Sequence, residues 1–132
     1  MTEAQVLRAL GKIAVEKYDP EDGCYELVPA LKGLSFMMLD SRLARIDVTE
    51  GSWLTAANAR IGMPEAEIRR IYPRVRVEPH HYLEPGQGYH FVVVPSDPKL
   101  KRYDLLFETF EGKVTSLRPG LSDAVALAEG CA

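Results

Sequence analysis

Apolar residues fall along this chain in two rhythms, a helical one and an alternating one, and the pair of rhythms occurs twice. Ala4, Val6, Leu7 and Leu10 put one apolar face on the stretch after Thr2, the spacing of a short amphipathic helix. Thr2-Glu3-Ala4-Gln5 has the form of a capping box, in which the first side chain and the fourth satisfy two otherwise orphaned backbone N–H groups. Gly11 can stop the helix. Ile13, Val15 and Tyr18 then alternate with polar positions and predict a strand, and Asp19-Pro20-Glu21-Asp22-Gly23 is a turn by composition. Cys24 to Pro29, Gly33 to Leu39 and Arg42 to Val48 read as three more strands. Only Asp40-Ser41 separates the last two, which predicts a tight hairpin.

The order returns at Met63. Pro64 stands where a first-turn proline is tolerated, and Glu65 and Glu67 suit the positive end of a helix. Ile68, Ile71 and Tyr72 give the apolar face, and Pro73 ends it. Val75 and Val77 begin a strand, Glu84 to Gly88 is a turn, and Tyr89 to Val94 is a strand. Tyr103 to Phe110 and Lys113 to Leu117 predict a hairpin turning at Glu111-Gly112. Met1 to Glu16 aligns with Met63 to Glu78 without a gap, and six of the 16 pairs are identical. In the hairpins Leu34, Phe36, Leu39 and Ile46 match Leu105, Phe107, Phe110 and Leu117. The predicted fold class is therefore α+β: two tandem helix-plus-four-strand repeats with antiparallel sheets sharing one core. Residues 1–48 form the first repeat, 49–62 a linker, 63–118 the second repeat and 119–132 a tail docking on the first repeat, all in one compact unit. One short helix over four strands buries too little surface to stand alone. The copies must share a core, as one long sheet or as two sheets meeting at a seam. Trp53, the only tryptophan, lies in the linker and is expected near that seam.

Composition narrows the class. The 132 residues are 46% apolar and 27% charged, which fits a folded globular chain. The net charge of −3 and scattered basic residues argue against a nucleic-acid surface. The one basic cluster, Arg69, Arg70, Arg74 and Arg76, follows a predicted helix C-terminus, where cations are favoured anyway. No apolar run approaches the roughly 20 residues that span a bilayer.

Two cysteines sit far apart, Cys24 opening a strand and Cys131 next to last. An even count and a terminal position favour a Cys24–Cys131 disulfide and an oxidising compartment over two unrelated buried thiols in a cytosolic protein. Ile61-Gly62 introduces the second copy, whereas the first opens at its methionine. The chain therefore reads as trimmed, with an export signal expected upstream.

The search for chemistry yields little. His80 and His81 are adjacent, and His90 lies in the next predicted strand. Neighbours on a strand point to opposite faces, so these two do not share a metal, and one of them at most approaches His90. No cysteine or carboxylate stands at a familiar ligand spacing, so no metal site and no cofactor are expected. There is no G-x-S-x-G elbow, and Cys24 as a nucleophile competes with the disulfide. Helix-start and turn roles account for Glu3, Glu65, Glu67, Asp40 and Glu111, leaving Glu16 and Glu78 least explained. No catalytic residue is assigned. The aromatic residues are the better lead, because tyrosine and tryptophan bury much area while keeping a polar tip. Trp53, Tyr82, Tyr89, His90 and Tyr103 are the candidate binding residues.

The repeated unit, introduced in its second copy by Gly62-Met63-Pro64-Glu65-Ala66-Glu67, resembles the tandem-repeat fold of the beta-lactamase inhibitory protein. It also looks like small envelope domains related to the outer-membrane assembly lipoprotein, which carry a similar Gly-Met-x-x-x-(Glu/Gln) helix start. It is similar, too, to small uncharacterised bacterial proteins expected to be exported, in which Arg45-Ile46-Asp47-Val48, Val77-Glu78-Pro79-His80 and Glu129-Gly130-Cys131 are expected to recur. The resemblance implies a non-enzymatic protein-binding module of the bacterial cell envelope, periplasmic or secreted, an inhibitor or an assembly factor. It carries over no target. The alternatives are an enzyme with its site near His80, His81, His90 and Glu78, and a cytoplasmic immunity-type protein. The partner and the oligomeric state are not set by the sequence.

Overall fold

The computed structural model describes residues 1–21, 23–127, 130 and 131, and for Pro20 and Glu21 the backbone alone. Asp22 of the predicted 19–23 turn, and Ala128, Glu129 and Ala132 of the predicted tail, lie outside the described residues. Helix α1 (Glu3–Leu10) precedes strands β1 (Val15–Glu21), β2 (Cys24–Pro29), β3 (Leu34–Leu39) and β4 (Arg42–Val48). Helix α2 (Glu65–Ile71) precedes β5 (Arg76–Pro79), β6 (Tyr89–Val93), β7 (Tyr103–Phe110) and β8 (Lys113–Leu121), and a short α3 (Ser122–Val125) follows. The fold is α+β, with one antiparallel eight-stranded sheet in the order β1-β2-β3-β4-β8-β7-β6-β5.

Local chemistry explains most of these boundaries. The capping box is formed, with the Thr2 side chain accepting from the Gln5 N–H and the Gln5 side chain accepting from the Thr2 N–H. Asp40 and Ser41 have φ of 48° and 64°, and Glu111 and Gly112 have 50° and 83°. Two consecutive left-handed residues make a two-residue turn whose twist matches the flanking strands. Both hairpins thus turn at the pairs the sequence marks. The two longer helices are fastened to those turns by corresponding bonds. The Glu3 N–H donates to Ser41 O and the Leu43 N–H to Met1 O, while the Glu65 N–H donates to Gly112 O and the Val114 N–H to Met63 O.

Two strand ends differ from expectation. β1 runs on to Glu21, with an irregularity in its pairing to β2 after Tyr18. It is an edge strand, where a proline such as Pro20 is tolerated. β8 runs past Leu117 through Arg118-Pro119-Gly120 to Leu121, into the stretch expected as a tail. Here the glycine serves close approach. Gly120 pairs with Arg45 of β4, and a Cβ on it would stand 2.4 Å from Ala44 O. Only a residue without a side chain lets β4 and β8 join there.

Directly paired residues share a sheet face, so the register separates the two faces. Leu27–Phe36–Ile46 forms one row, and Val48–Leu117–Phe107–Phe91–Val77 forms another on the same face. Val6 of α1 packs against Tyr25, Leu27 and Met38 at one end of this face. Ile68 of α2 packs with Phe91, Phe107 and Val114 at the other. Each fully buried aromatic here contributes about 2–3 kcal/mol of burial.

The opposite face carries α3. Met37 and Ala44 pack with Ala124 and Cys131, and Val92 and Leu106 pack with Val125. The buried Arg45 guanidinium donates to Ala124 O at 2.8 Å, to Leu127 O at 2.6 Å and to Asp47 Oδ2 at 2.8 Å. The expected bridge is present: Cys24 and Cys131 are joined as a disulfide. Among the described residues, no helix is long and apolar enough to cross a membrane.

Candidate functional site

Two places on the sheet collect the residues of interest, one on each face. Between α1 and α2 the helix face is left uncovered where β4 meets β8. A groove of about 490 Å³ lies there. Phe36, Ile46, Leu105 and Leu117 form its floor, and Trp53 and Leu54, from the segment between β4 and α2, form a wall. Trp53 is 45% exposed and Leu54 58% exposed. The segment is pinned by Thr55, whose hydroxyl meets the Tyr72 hydroxyl at 2.9 Å and accepts from the Ala59 N–H at 3.0 Å. Val93, paired with Leu105, lines a neighbouring depression of about 600 Å³ with Ile71, Val94 and Leu100. On the other side a shallower hollow shares Ile46 and Pro119 with the groove and is walled by Met1, Leu43 and Tyr103.

The second place is on the α3 face. His90 of β6 stands opposite Glu108 of β7, and Glu108 stands opposite Ser116 of β8. The Ser116 hydroxyl donates to Glu108 Oε2 at 2.9 Å. Three nitrogens surround Glu108 Oε1: His90 Nε2 at 3.4 Å, Arg118 NH1 at 3.5 Å and His80 Nε2 at 3.8 Å. The His90 side chain is 4% exposed, and among the described residues its Nε2, like the buried Arg118 Nε, makes no hydrogen bond. The His90 imidazole facing it, together with the Arg118 charge and the Ser116 hydroxyl, holds the Glu108 carboxyl at about 2, although burial pushes it up. Burial pushes the His80 imidazolium the other way, below its ordinary value, with Glu108 opposing.

The histidine geometry departs from the sequence expectation. β5 ends at Pro79, so His80 and His81 are past the strand and the opposite-face rule does not govern them. Both rings meet His90, with centroids 4.6 Å and 5.1 Å away. Glu78, on β5 opposite His90, is engaged by Arg76 Nε at 2.7 Å.

The five candidate binding residues do not form one surface. Trp53 walls the groove, and Tyr89 lies half-buried against Phe91 on the same sheet face. Tyr103 lines the adjoining hollow. His90 is buried in the polar cluster, and Tyr82 is exposed beside His80, its ring 6.3 Å away. The basic residues of the helix end are largely engaged locally: Arg70 with Glu67, Arg76 with Glu78, and Arg69 over the Phe91 ring.

Glu108 and Arg118 escaped sequence reasoning. Each is a charge inside a predicted strand or just past its end, and that alone marks no site. What makes them a site is the register that sets β6, β7 and β8 side by side.

The fold and its two faces define a class: an α+β protein built on one eight-stranded antiparallel sheet, with an apolar groove on one face and a polar histidine cluster on the other. In comparisons with protein-family models, curated proteins and solved structures, nothing matches this chain.

Proposed function

We propose that the protein is a non-enzymatic protein-binding module of the bacterial cell envelope, an inhibitor or assembly factor that holds an extended apolar segment of a partner. The observation that carries this reading is the Trp53–Leu54 wall over the open groove at the β4–β8 junction. From β3 to β6 the groove and its neighbouring depression cross five adjacent strands. At about 4.8 Å per strand that is roughly 19 Å, the reach of about six extended residues. An aromatic wall over an apolar floor is the kind of anchor site around which binding energy concentrates.

The disulfide supports a compartment outside the cytoplasm, since such bonds persist under oxidising conditions. The corresponding attachments of α1 and α2 to their hairpins support descent of the chain from two tandem copies of one helix-plus-four-strand unit. That construction accords with the resemblance to the beta-lactamase inhibitory protein and to the envelope assembly domains.

Trp53 is the only tryptophan, so its emission reads the groove directly. Peptides selected by phage display on the oxidised protein should be extended and apolar, should shift Trp53 emission on titration, and should bind Leu54→Asp at least tenfold more weakly. Peptides that bind Leu54→Asp undiminished, or leave Trp53 emission unmoved, reject the groove as the site. A second reading, an enzyme centred on His80, His81 and His90, is favoured by one observation: among the described residues the Nε2 of the buried His90 makes no hydrogen bond.

A further inference from the structure

The chain has three histidines, and the fold brings all of them to one point. His80 and His81 come from the segment after β5, and His90 from β6, yet both of the former rings lie against the latter. Charge balance does not require them there, because Arg118 already faces Glu108. Packing does not call for them either, because three imidazoles are a poor filling for a half-buried sheet face. We propose that His80, His90 and Glu108 form a binding site for a divalent transition-metal ion of the zinc type. The proposal concerns the face opposite the groove and stands or falls independently of the protein-binding reading.

The geometry is close to that of a bound state. One ligand atom from each of His80, His90 and Glu108 lies within 4.8 Å of the others. His90 Nε2 is 3.4 Å, and His80 Nε2 3.8 Å, from Glu108 Oε1. Tetrahedral bonds of about 2.0–2.1 Å place neighbouring ligand atoms about 3.3 Å apart. Contraction by at most about 1.5 Å therefore closes the set on an ion. Two imidazoles and one carboxylate suit zinc, cobalt or nickel rather than calcium or magnesium, which favour oxygen ligands.

Three further features fit an ion. His90 Nε2 is buried and, among the described residues, makes only a long 3.4 Å approach to Glu108 Oε1 and no hydrogen bond, which an ion would replace with a direct bond. The Ser116 hydroxyl holds Glu108 Oε2, leaving Oε1 turned to the two imidazoles, the outer-layer support that ligating carboxylates use. His90, Glu108 and Ser116 all stand on paired strands, so two of the three ligands are fixed in position. Three protein ligands leave a fourth position open.

Two contacts must yield. Arg118 NH1 gives up its 3.5 Å approach to Glu108 Oε1. The Tyr82 N–H, which now donates to His80 Nδ1 at 3.1 Å, must turn away, because a neutral imidazole bound through Nε2 carries its proton on Nδ1. Metal uptake should therefore displace the backbone at Tyr82, a signature that surface adsorption would not produce.

The test uses tag-free, chelator-treated, disulfide-bonded protein titrated with Zn²⁺ by calorimetry and with Co²⁺ by absorption. The expected result is one ion per chain, Co²⁺ bands of a tetrahedral site, and a shift of the Tyr82 amide resonance. His80→Gln and His90→Gln should each weaken binding at least about 100-fold. Ser116→Ala, which keeps every ligand and both charges, should weaken it about tenfold. Absence of saturable binding up to millimolar metal overturns the proposal. So does one-to-one binding that is as strong in correctly folded His80→Gln as in the wild type.

Discussion

Removing the disulfide is the most quantitative perturbation this structure offers. Cys24 and Cys131 are 107 residues apart in sequence, so their bond closes most of the chain into one loop. In the chain-entropy picture, a link of that span withholds about 4.8 kcal/mol of disorder from the denatured chain at 25 °C. The native state gives little of this back, because Arg45 still holds the carbonyls of Ala124 and Leu127 and Val125 still packs on Val92 and Leu106. The double variant Cys24→Ala/Cys131→Ala should therefore be about 3–5 kcal/mol less stable. For a chain of 132 residues that corresponds to a fall in Tm of about 10–17 °C. Urea unfolding followed by circular dichroism measures it, after intact mass and thiol alkylation have shown that the wild type carries no free thiol. The slope of free energy against urea should rise, because the unlinked denatured chain is more expanded. A loss below about 1 kcal/mol with an unchanged slope would refute the argument, since the link would then not be restricting the denatured chain.

The remaining predictions concern the seam, the α3 anchor and the polar cluster. Gly120→Ala places a Cβ 2.4 Å from Ala44 O and should lower stability by at least about 2 kcal/mol, measurable in the same urea assay; a change under about 0.5 kcal/mol would mean that the β4–β8 junction is not as tight as described. Arg45→Met strands the Ala124 and Leu127 carbonyls and leaves Asp47 without its ion pair. It should lower stability by about 3 kcal/mol and speed amide hydrogen exchange in α3 before it does so in the sheet. In metal-free protein, Glu108 has a folded pKa of about 2, below its unfolded value, so its stabilisation is complete above about pH 5 and is lost as pH falls towards 2. The shift corresponds to at most about 3 kcal/mol, and to about half that after solvent screening of a side chain that is 24% exposed. Glu108→Gln should flatten this acid limb of the stability profile, and an unchanged limb would place the acid sensitivity elsewhere.

Sequence and structure divide along a physical line. Chain-local features were legible because their causes lie within a few residues. The capping box of Thr2 and Gln5, the two-residue turns at Asp40-Ser41 and Glu111-Gly112, and the positions of β2, β3, β4 and β7 all follow from nearby side chains and backbone freedom. The cysteine pair was legible for a different reason, since an even count and a terminal position leave few arrangements. The end of β8 lies beyond the Leu117 expected from the sequence, because contact with β4 carries the strand on and makes Gly120 a requirement of close approach. The choice between one sheet and two was likewise open until β4 and β8 paired. The histidine cluster was the least legible of all. The spacing of His80, His81 and His90 indicated no site, and the strand rule applied to the first two misled because β5 stops before them. Glu108 and Arg118 are 18 and 28 residues from His90 in sequence, and the antiparallel register of three strands is what brings them to it. The two longer helices, the tight turns and most strand positions could be read from the chain, because they depend on local torsions and short-range hydrogen bonds. The tertiary structure alone decided the groove and the polar cluster, because each is made by side chains that meet only after distant strands have paired.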